Sequence, residues 1–113
     1  MSIEWWAQLC SQAKANLVGQ GITNVIVQTG DGTLGAPDHA PFDAVLVSAA
    51  ARHVPEPLVR QLRAGGRLTQ PIGPGRQEEV VLFVQEGPGL RRRGVLTKTC
   101  FVRLRGRHGI SSP

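Results

Sequence analysis

The sequence has no tyrosine, three phenylalanines and two tryptophans among 113 residues, so aromatic side chains make up only 4% of it. That scarcity argues against a stacked-base platform, which needs aromatic side chains interleaved with basic ones. The two cysteines, Cys10 and Cys100, lie far apart and in no metal or redox spacing, so they read as free thiols, with Cys10 on a helix face. The three histidines are equally scattered and give a metal centre little support. No apolar run approaches the roughly 20 residues of a membrane span, and the N-terminus has neither the basic start nor the apolar core of a secretory signal. The expected location is the cytoplasm. Repeats and low-complexity tracts are missing too, and a hydrophobic content of 41% suits one globular unit.

Acidic residues are few, and they are unevenly placed. Residues 1–50 hold one basic side chain, Lys14, against Glu4, Asp31, Asp38 and Asp43, a balance of −3. Residues 51–113 hold the other twelve basic side chains against four acidic ones, a balance of +8. A polyanion-binding face is one reading of that asymmetry. A solvated arginine-rich surface is the other, and it is favoured because no aromatic residues interleave with Arg91-Arg92-Arg93 or with Arg103, Arg105 and Arg107.

Along the chain, Trp5, Leu9, Ala13 and Leu17 recur every four residues, with Trp6 and Cys10 beside them, which predicts a helix over 5–18 stopped by Gly19 and Gly21. Residues 24–28 read as a short strand and 33–41, with two prolines, as a loop. The unbroken apolar run Ala44-Val45-Leu46-Val47 predicts a strand over 43–48 covered on both faces, as in a parallel sheet. A short helix begins at Pro55 or Pro57, with Gly65-Gly66 as its stop. Strands follow over 67–72, 79–85 and 95–104, with a turn at Gly87-Pro88-Gly89. No room remains for a helix between the last two, so they form an antiparallel hairpin. This order reads as a nucleotide-binding α/β fold entered halfway through. In such folds an acidic strand-end residue that holds a ribose follows a Gly-rich turn by about 20 residues, whereas only three residues precede Glu4 here.

Specific stretches carry a family resemblance: Ser2-Ile3-Glu4, Gly30 to Gly35, His39 to Ala44, Ser48 to Ala51, Val54 to Leu58, Gln61-Leu62, Gly65 to Leu68, Pro71-Ile72-Gly73 and Phe101-Val102. In order and spacing, from residue 2 to about 105, they resemble the protein-L-isoaspartate O-methyltransferase family. Two features of that family are missing: its substrate-recognising N-terminal region, and the strand with the Gly-rich methionine-binding turn. Arg103 also stands where the family usually has proline.

The resemblance implies a partial Rossmann-like, S-adenosylmethionine-dependent methyltransferase fold of the α/β class. Its parallel strands end in an antiparallel hairpin, and its central first strand is absent from between the strand ending at Glu4 and the strand at 43–48. Residues 1–105 would form this part of the domain and 106–113 a basic, disordered tail. The cofactor implied is S-adenosyl-L-methionine, met by half a site. Glu4 would accept from both ribose hydroxyls, Trp5 would lie beside the adenine, Asp31 would accept from its amino group, and Gly32 would permit close approach. Pro74 and Gln77 fall where the family closes over the cofactor. Ser48, Ala49 and Ala50, with Ala51, would line the acceptor pocket; His39 and Asp43 read as structural.

No catalytic residue is expected, because the family's acceptor, an isoaspartyl carboxylate, is already a nucleophile, and methyl transfer then rests on alignment and desolvation. The implied partners, if the chain is active, are isoaspartyl-containing proteins or peptides, with no membrane and no nucleic acid; a second chain supplying the missing strand is a rival reading. The expectation is a truncated, inactive form of the enzyme. The alternative is a basic nucleic-acid-binding or subunit-interaction module derived from the same sheet. Unpaired buried backbone groups cost about 1–3 kcal/mol each against a total stability of about 5–15 kcal/mol, so poor folding in isolation is also expected.

Overall fold

In a computed structural model, which describes residues 1–74 and 76–110, the strands fall into two separate sheets. The smaller pairs β1 (Ser2–Glu4) with β2 (Val27–Thr29) in parallel. The larger has the order β3 (Phe42–Leu46), β4 (Leu62–Ile72), β5 (Glu78–Gln85) and β6 (Leu90–Thr99). β3 runs parallel to β4, and the other two pairings are antiparallel. The parallel-then-hairpin architecture read from the sequence is therefore present.

Between β1 and β2 lies helix α1 (Ala7–Gly19). Its residues Ala13 and Leu17 are half-buried and Cys10 is buried, so the predicted stripe does face inward along its central part. Trp5 and Trp6 lie before the helix, at 43% and 50% exposure, and Leu9 is 48% exposed. Both thiols are free, as expected. Two single 3-10 turns, Gly32–Leu34 and Pro37–His39, occupy the loop before β3.

The larger sheet holds the core. Leu58 from helix α2 (Glu56–Gln61) packs with Leu62 and Leu68 of β4, and Val45, Val47, Val54, Phe83 and Leu90 close around them. α2 is shorter than its sequence implied. It ends at Gln61, and β4 starts at once, running back through Gly65 and Gly66, because Leu62 is drawn into that cluster. The extra length is accommodated by an irregular register against β3, where Phe42 faces Leu62 but Ala44 faces Arg67.

Three other expectations are corrected. β3 is not covered on both faces: Val45 packs against the core, while Ala44 and Leu46 on the other face are exposed, Leu46 by 81%. The last strand starts at Leu90 directly after the turn and ends at Thr99; Arg103 makes only an isolated parallel bridge to Ala50. The tail, expected to be disordered over 106–113, forms a hydrogen-bonded turn over 106–110, in which Gly109 N–H donates to Gly106 C=O and Ile110 N–H to Leu104 C=O. Residues 111–113 lie outside the described residues. Among the described residues, no helix is long and apolar enough to cross a membrane.

Candidate functional site

The two sheets face each other across a cleft of about 1290 Å³. One bank is Met1 to Trp6 with Leu9 and Gly32; the other is Ala44 to Ala49 with Leu58. The backbone explains why it stays open. Ser2 N–H donates to Ile26 C=O at 2.7 Å, and Glu4 C=O accepts from Gly30 N–H at 2.9 Å, so Ser2 and Glu4 direct their peptide groups toward β2. Directions alternate along a strand, so the Ile3 N–H and C=O point the other way, into the cleft. Val47 N–H likewise donates to Thr69 C=O at 2.9 Å, which leaves the peptide groups of Ala44 and Leu46 pointing outward from β3. Each bank therefore presents an unpaired strand edge to the same space.

Strand ends place the candidate residues. Glu4 closes β1 and is partly buried. Its Oε1 accepts the Trp6 N–H at 3.2 Å, which turns the carboxylate over the helix start, and no partner for Oε2 is present among the described residues. Trp5 stands next to it on the same bank, and Gly32 follows beyond β2. Ser48 and Ala49 lie past the carboxyl end of β3, on the facing bank. So the cleft brings together Glu4, Trp5, Gly32, Ser48 and Ala49.

The remaining predicted residues lie elsewhere. Ala50 is fully buried, its N–H donating to Val102 C=O and its C=O accepting from Leu104 N–H, both at 2.7 Å. Pro74 and Gln77 are exposed in the β4–β5 turn and do not line the cleft. Asp31 is engaged within the protein: Oδ1 accepts the Thr33 N–H at 2.9 Å and the Thr33 hydroxyl at 2.6 Å, and Oδ2 accepts the Arg107 N–H at 2.8 Å. Burial pushes its carboxyl pKa up, but the hydrogen bonds from Thr33 and Arg107, with the charge of His108, outweigh burial and hold it below the usual carboxylate value.

Sequence reasoning missed the residues that tie the banks together. The Gln61 carboxamide accepts from Ala36 N–H at 2.8 Å and donates to Leu34 C=O at 3.0 Å, joining α2 to the loop after β2. Gly35 sits at φ 68°, and a β-carbon there would collide with that carboxamide. Arg103, Leu104 and Arg105 line the cleft, and so do Gly106 and Ile110, from the stretch expected to be a tail. The spacing Gly106-x-x-Gly109 was the available signal for a turn. Of the basic run, Arg91 pairs with Glu86 at 3.3 Å and Arg92 with Glu79 at 3.5 Å. Both pairs are solvent-exposed.

The chain matches the family model of protein-L-isoaspartate(D-aspartate) O-methyltransferase over residues 1–109. The chain belongs to that family. A Roseiflexus castenholzii protein-L-isoaspartate O-methyltransferase is 46% identical over 107 residues, 95% of this chain and 49% of the relative. One from Methanoculleus marisnigri is 39% identical over 109 residues, 96% of this chain and 49% of the relative. A solved protein-L-isoaspartate O-methyltransferase superposes with a TM-score of 0.85 at 34% identity, covering 96% of this chain and 34% of its own. A Plasmodium falciparum protein described as such an enzyme, solved with S-adenosyl-L-homocysteine, superposes with a TM-score of 0.74 at 23% identity, over 91% of this chain and 50% of its own, a likeness of fold. The chain spans about half the length of the curated relatives it matches.

Proposed function

We propose that this chain supplies the nucleoside-side and acceptor-side banks of an S-adenosyl-L-methionine-dependent methyltransferase acting on isoaspartyl carboxylates in proteins. The site becomes competent when a strand from outside residues 1–113 fills the cleft. The observation that carries this reading is the cleft itself, with Glu4 on one bank and Ser48 on the other at strand ends, where ligands of open α/β sheets lie.

The residues fit the nucleoside. The free Oε2 of Glu4, with the remaining lone pair of Oε1, matches a vicinal diol. Trp5 offers an exposed ring face, and Gly32 lets the backbone come close to a flat base. The bound cofactor supplies an electrophilic methyl group on a sulfonium. The chain's own work is then orientation and exclusion of water. Ser48 and Ala49 hold the acceptor carboxylate on the opposite bank with little bulk, and the apolar flanks of β3 and Leu58 lower the local polarity, which strengthens an anionic nucleophile stripped of water. Proton transfer is not required. Two free thiols suit the reducing cytoplasm in which such repair would operate.

The test pairs this chain with the part of the Roseiflexus castenholzii relative that it does not match, expressed as a separate polypeptide. The expected result is a 1:1 assembly that binds S-adenosylhomocysteine in calorimetry and esterifies an isoaspartyl peptide but not its aspartyl counterpart, with affinity weakened by Glu4→Gln. An assembly that forms and binds no S-adenosylhomocysteine overturns the methyltransferase reading. Failure to assemble overturns the strand-completion part of it.

A further inference from the structure

Past Ala50 the chain builds a second hollow, which shares only Ile110 with the cleft. Ala51 to Glu56 form one wall and His108 to Ile110 the other, around about 530 Å³. Backbone bonds pin both walls. Ala51 N–H donates to Pro71 C=O at 3.2 Å, and Ala51 C=O accepts from Gly73 N–H at 3.0 Å. In the facing wall, Ile110 N–H donates to Leu104 C=O at 3.0 Å and Gly109 N–H to Gly106 C=O at 3.1 Å. The His53 C=O accepts from the Gln70 carboxamide at 2.9 Å. Gln70 is fully buried, and its Oε1 has no partner among the described residues. An aliphatic side chain would fill the same place without an unpaired acceptor, so what the amide adds is a fixed His53 backbone.

The side chains on these pinned walls are uncommitted. Arg52, His53 and His108 are exposed, and among the described residues none of the three side chains makes a hydrogen bond or an ion pair. Glu56 is the acidic member of the lining, and the charge of His108 is also felt by Asp31. Arg52 and His53 are therefore the cations least engaged with the protein itself. A guanidinium fork matches a carboxylate with two parallel hydrogen bonds, and an imidazole adds a donor and, when protonated, a charge. Arg52 follows Ser48 of the acceptor bank by four residues. At no more than about 3.6 Å per residue, the two lie within about 14 Å, a span that four residues of extended peptide also cover. We infer that this hollow is a specificity pocket for the acceptor: it receives a carboxylate carried by the substrate chain within about four residues of the isoaspartyl residue, with Arg52 as its main partner and His53 and His108 in support. The inference rests on the functional reading above and narrows it, from isoaspartyl proteins in general to those with a second negative charge close by.

The pocket is tested in two arms. In the two-chain assembly, isoaspartyl peptides with amidated ends carry glutamate or glutamine at each of the four positions on either side of the isoaspartyl residue. At one or two positions glutamate should lower KM about three- to tenfold with kcat unchanged, the weight of a partly exposed charge-assisted contact. Arg52→Gln should erase that preference and Arg52→Lys keep part of it, which a merely structural role for Arg52 would not do. A glutamine peptide with a free carboxyl end at the same position separates the two sources of carboxylate: an equal gain means that a chain end serves as well as a side chain, and no gain assigns the pocket to side chains. Esterification without any glutamate preference, or a preference that survives Arg52→Gln, overturns the pocket and leaves the functional reading standing. The second arm needs no cofactor, added strand or turnover. The imidazole signals of the chain alone are followed by nuclear magnetic resonance as the preferred glutamate peptide, or its glutamine counterpart, is added. His53 and His108 should shift with glutamate and not with glutamine, the shift should vanish in Arg52→Gln, and His39, exposed in the loop before β3, should stay still. Equal movement of His39, or an oligonucleotide that moves the same signals at lower concentration, overturns the assignment to a peptide carboxylate. A carboxylate-specific shift that depends on Arg52, in a chain whose assembly never methylates, upholds the pocket and removes the functional reading.

Discussion

The two sheets of this protein are built to different standards. The larger has strands of up to eleven residues joined by three ladders, with Leu68 and Val81 fully buried. The smaller has two strands of three residues each, and Val27 is the one buried residue in them. Two-stranded sheets of that size are marginal in water without further packing. The smaller sheet nonetheless carries Glu4, proposed above to meet the nucleoside, and leads into Asp31. The energetics of the chain reside in one sheet and half of its chemistry in the other, so occupation of the cleft governs the second far more than the first.

The largest test of that difference is a matched pair of truncations. Leu68→Ala, in the core with Leu58 and Leu62, should lower unfolding stability by about 2–5 kcal/mol. Leu46→Ala, on the open edge of β3, should stay within about 0.5 kcal/mol in the chain alone. Denaturant titration measures both, and similar losses at the two positions would mean that the edge is already covered. Gln61→Ala comes next. It removes both hydrogen bonds to Leu34 and Ala36 and leaves those peptide groups without their partner, so about 1–3 kcal/mol is expected. The loss should appear in exchange of the loop amides before the larger sheet responds.

The smallest effect is carried by pH. The Asp31 carboxyl is held below its ordinary value in the folded chain, so it favours the folded state above its unfolded pKa, and that contribution is lost as pH falls through the lower folded value. Thermal midpoints should therefore drop as pH moves below roughly 4, and less steeply in Asp31→Asn. Equal slopes in parent and variant would show that Asp31 plays no part.

How much of this was legible in the sequence varied with the physics behind each element. The periodicity of Leu9, Ala13 and Leu17 marked α1, because amphipathic spacing is local information. The apolar run at β3 was read correctly as a strand and incorrectly as covered. Such a run records the burial that the strand is suited to, while the cover has to come from outside the described residues. Gly65-Gly66 read as a helix stop, yet the earlier pull of Leu62 into the core ended the helix first. Glu4, Trp5, Gly32, Ser48 and Ala49 line one cleft. Gln61 was quoted for the resemblance, but its two hydrogen bonds were not legible, because its carboxamide meets peptide groups 25 and 27 residues away that any residue type supplies.

The protein's edges also differ in their chemistry. The free side of β6 bears Arg91, Arg92, Arg93 and Lys98, and its ladder with β5 is twice thrown out of register. Charge and bulges are the usual means by which an exposed edge repels further strands. Ile3 and Leu46, on the cleft edges, carry no charge, and no register irregularity falls at either position. The sequence thus marks one edge as permanently wet and leaves the other two sticky. A preparation of this chain without a strand to fill the cleft should self-associate through those two edges and leave β6 free, an outcome that concentration-dependent light scattering would register.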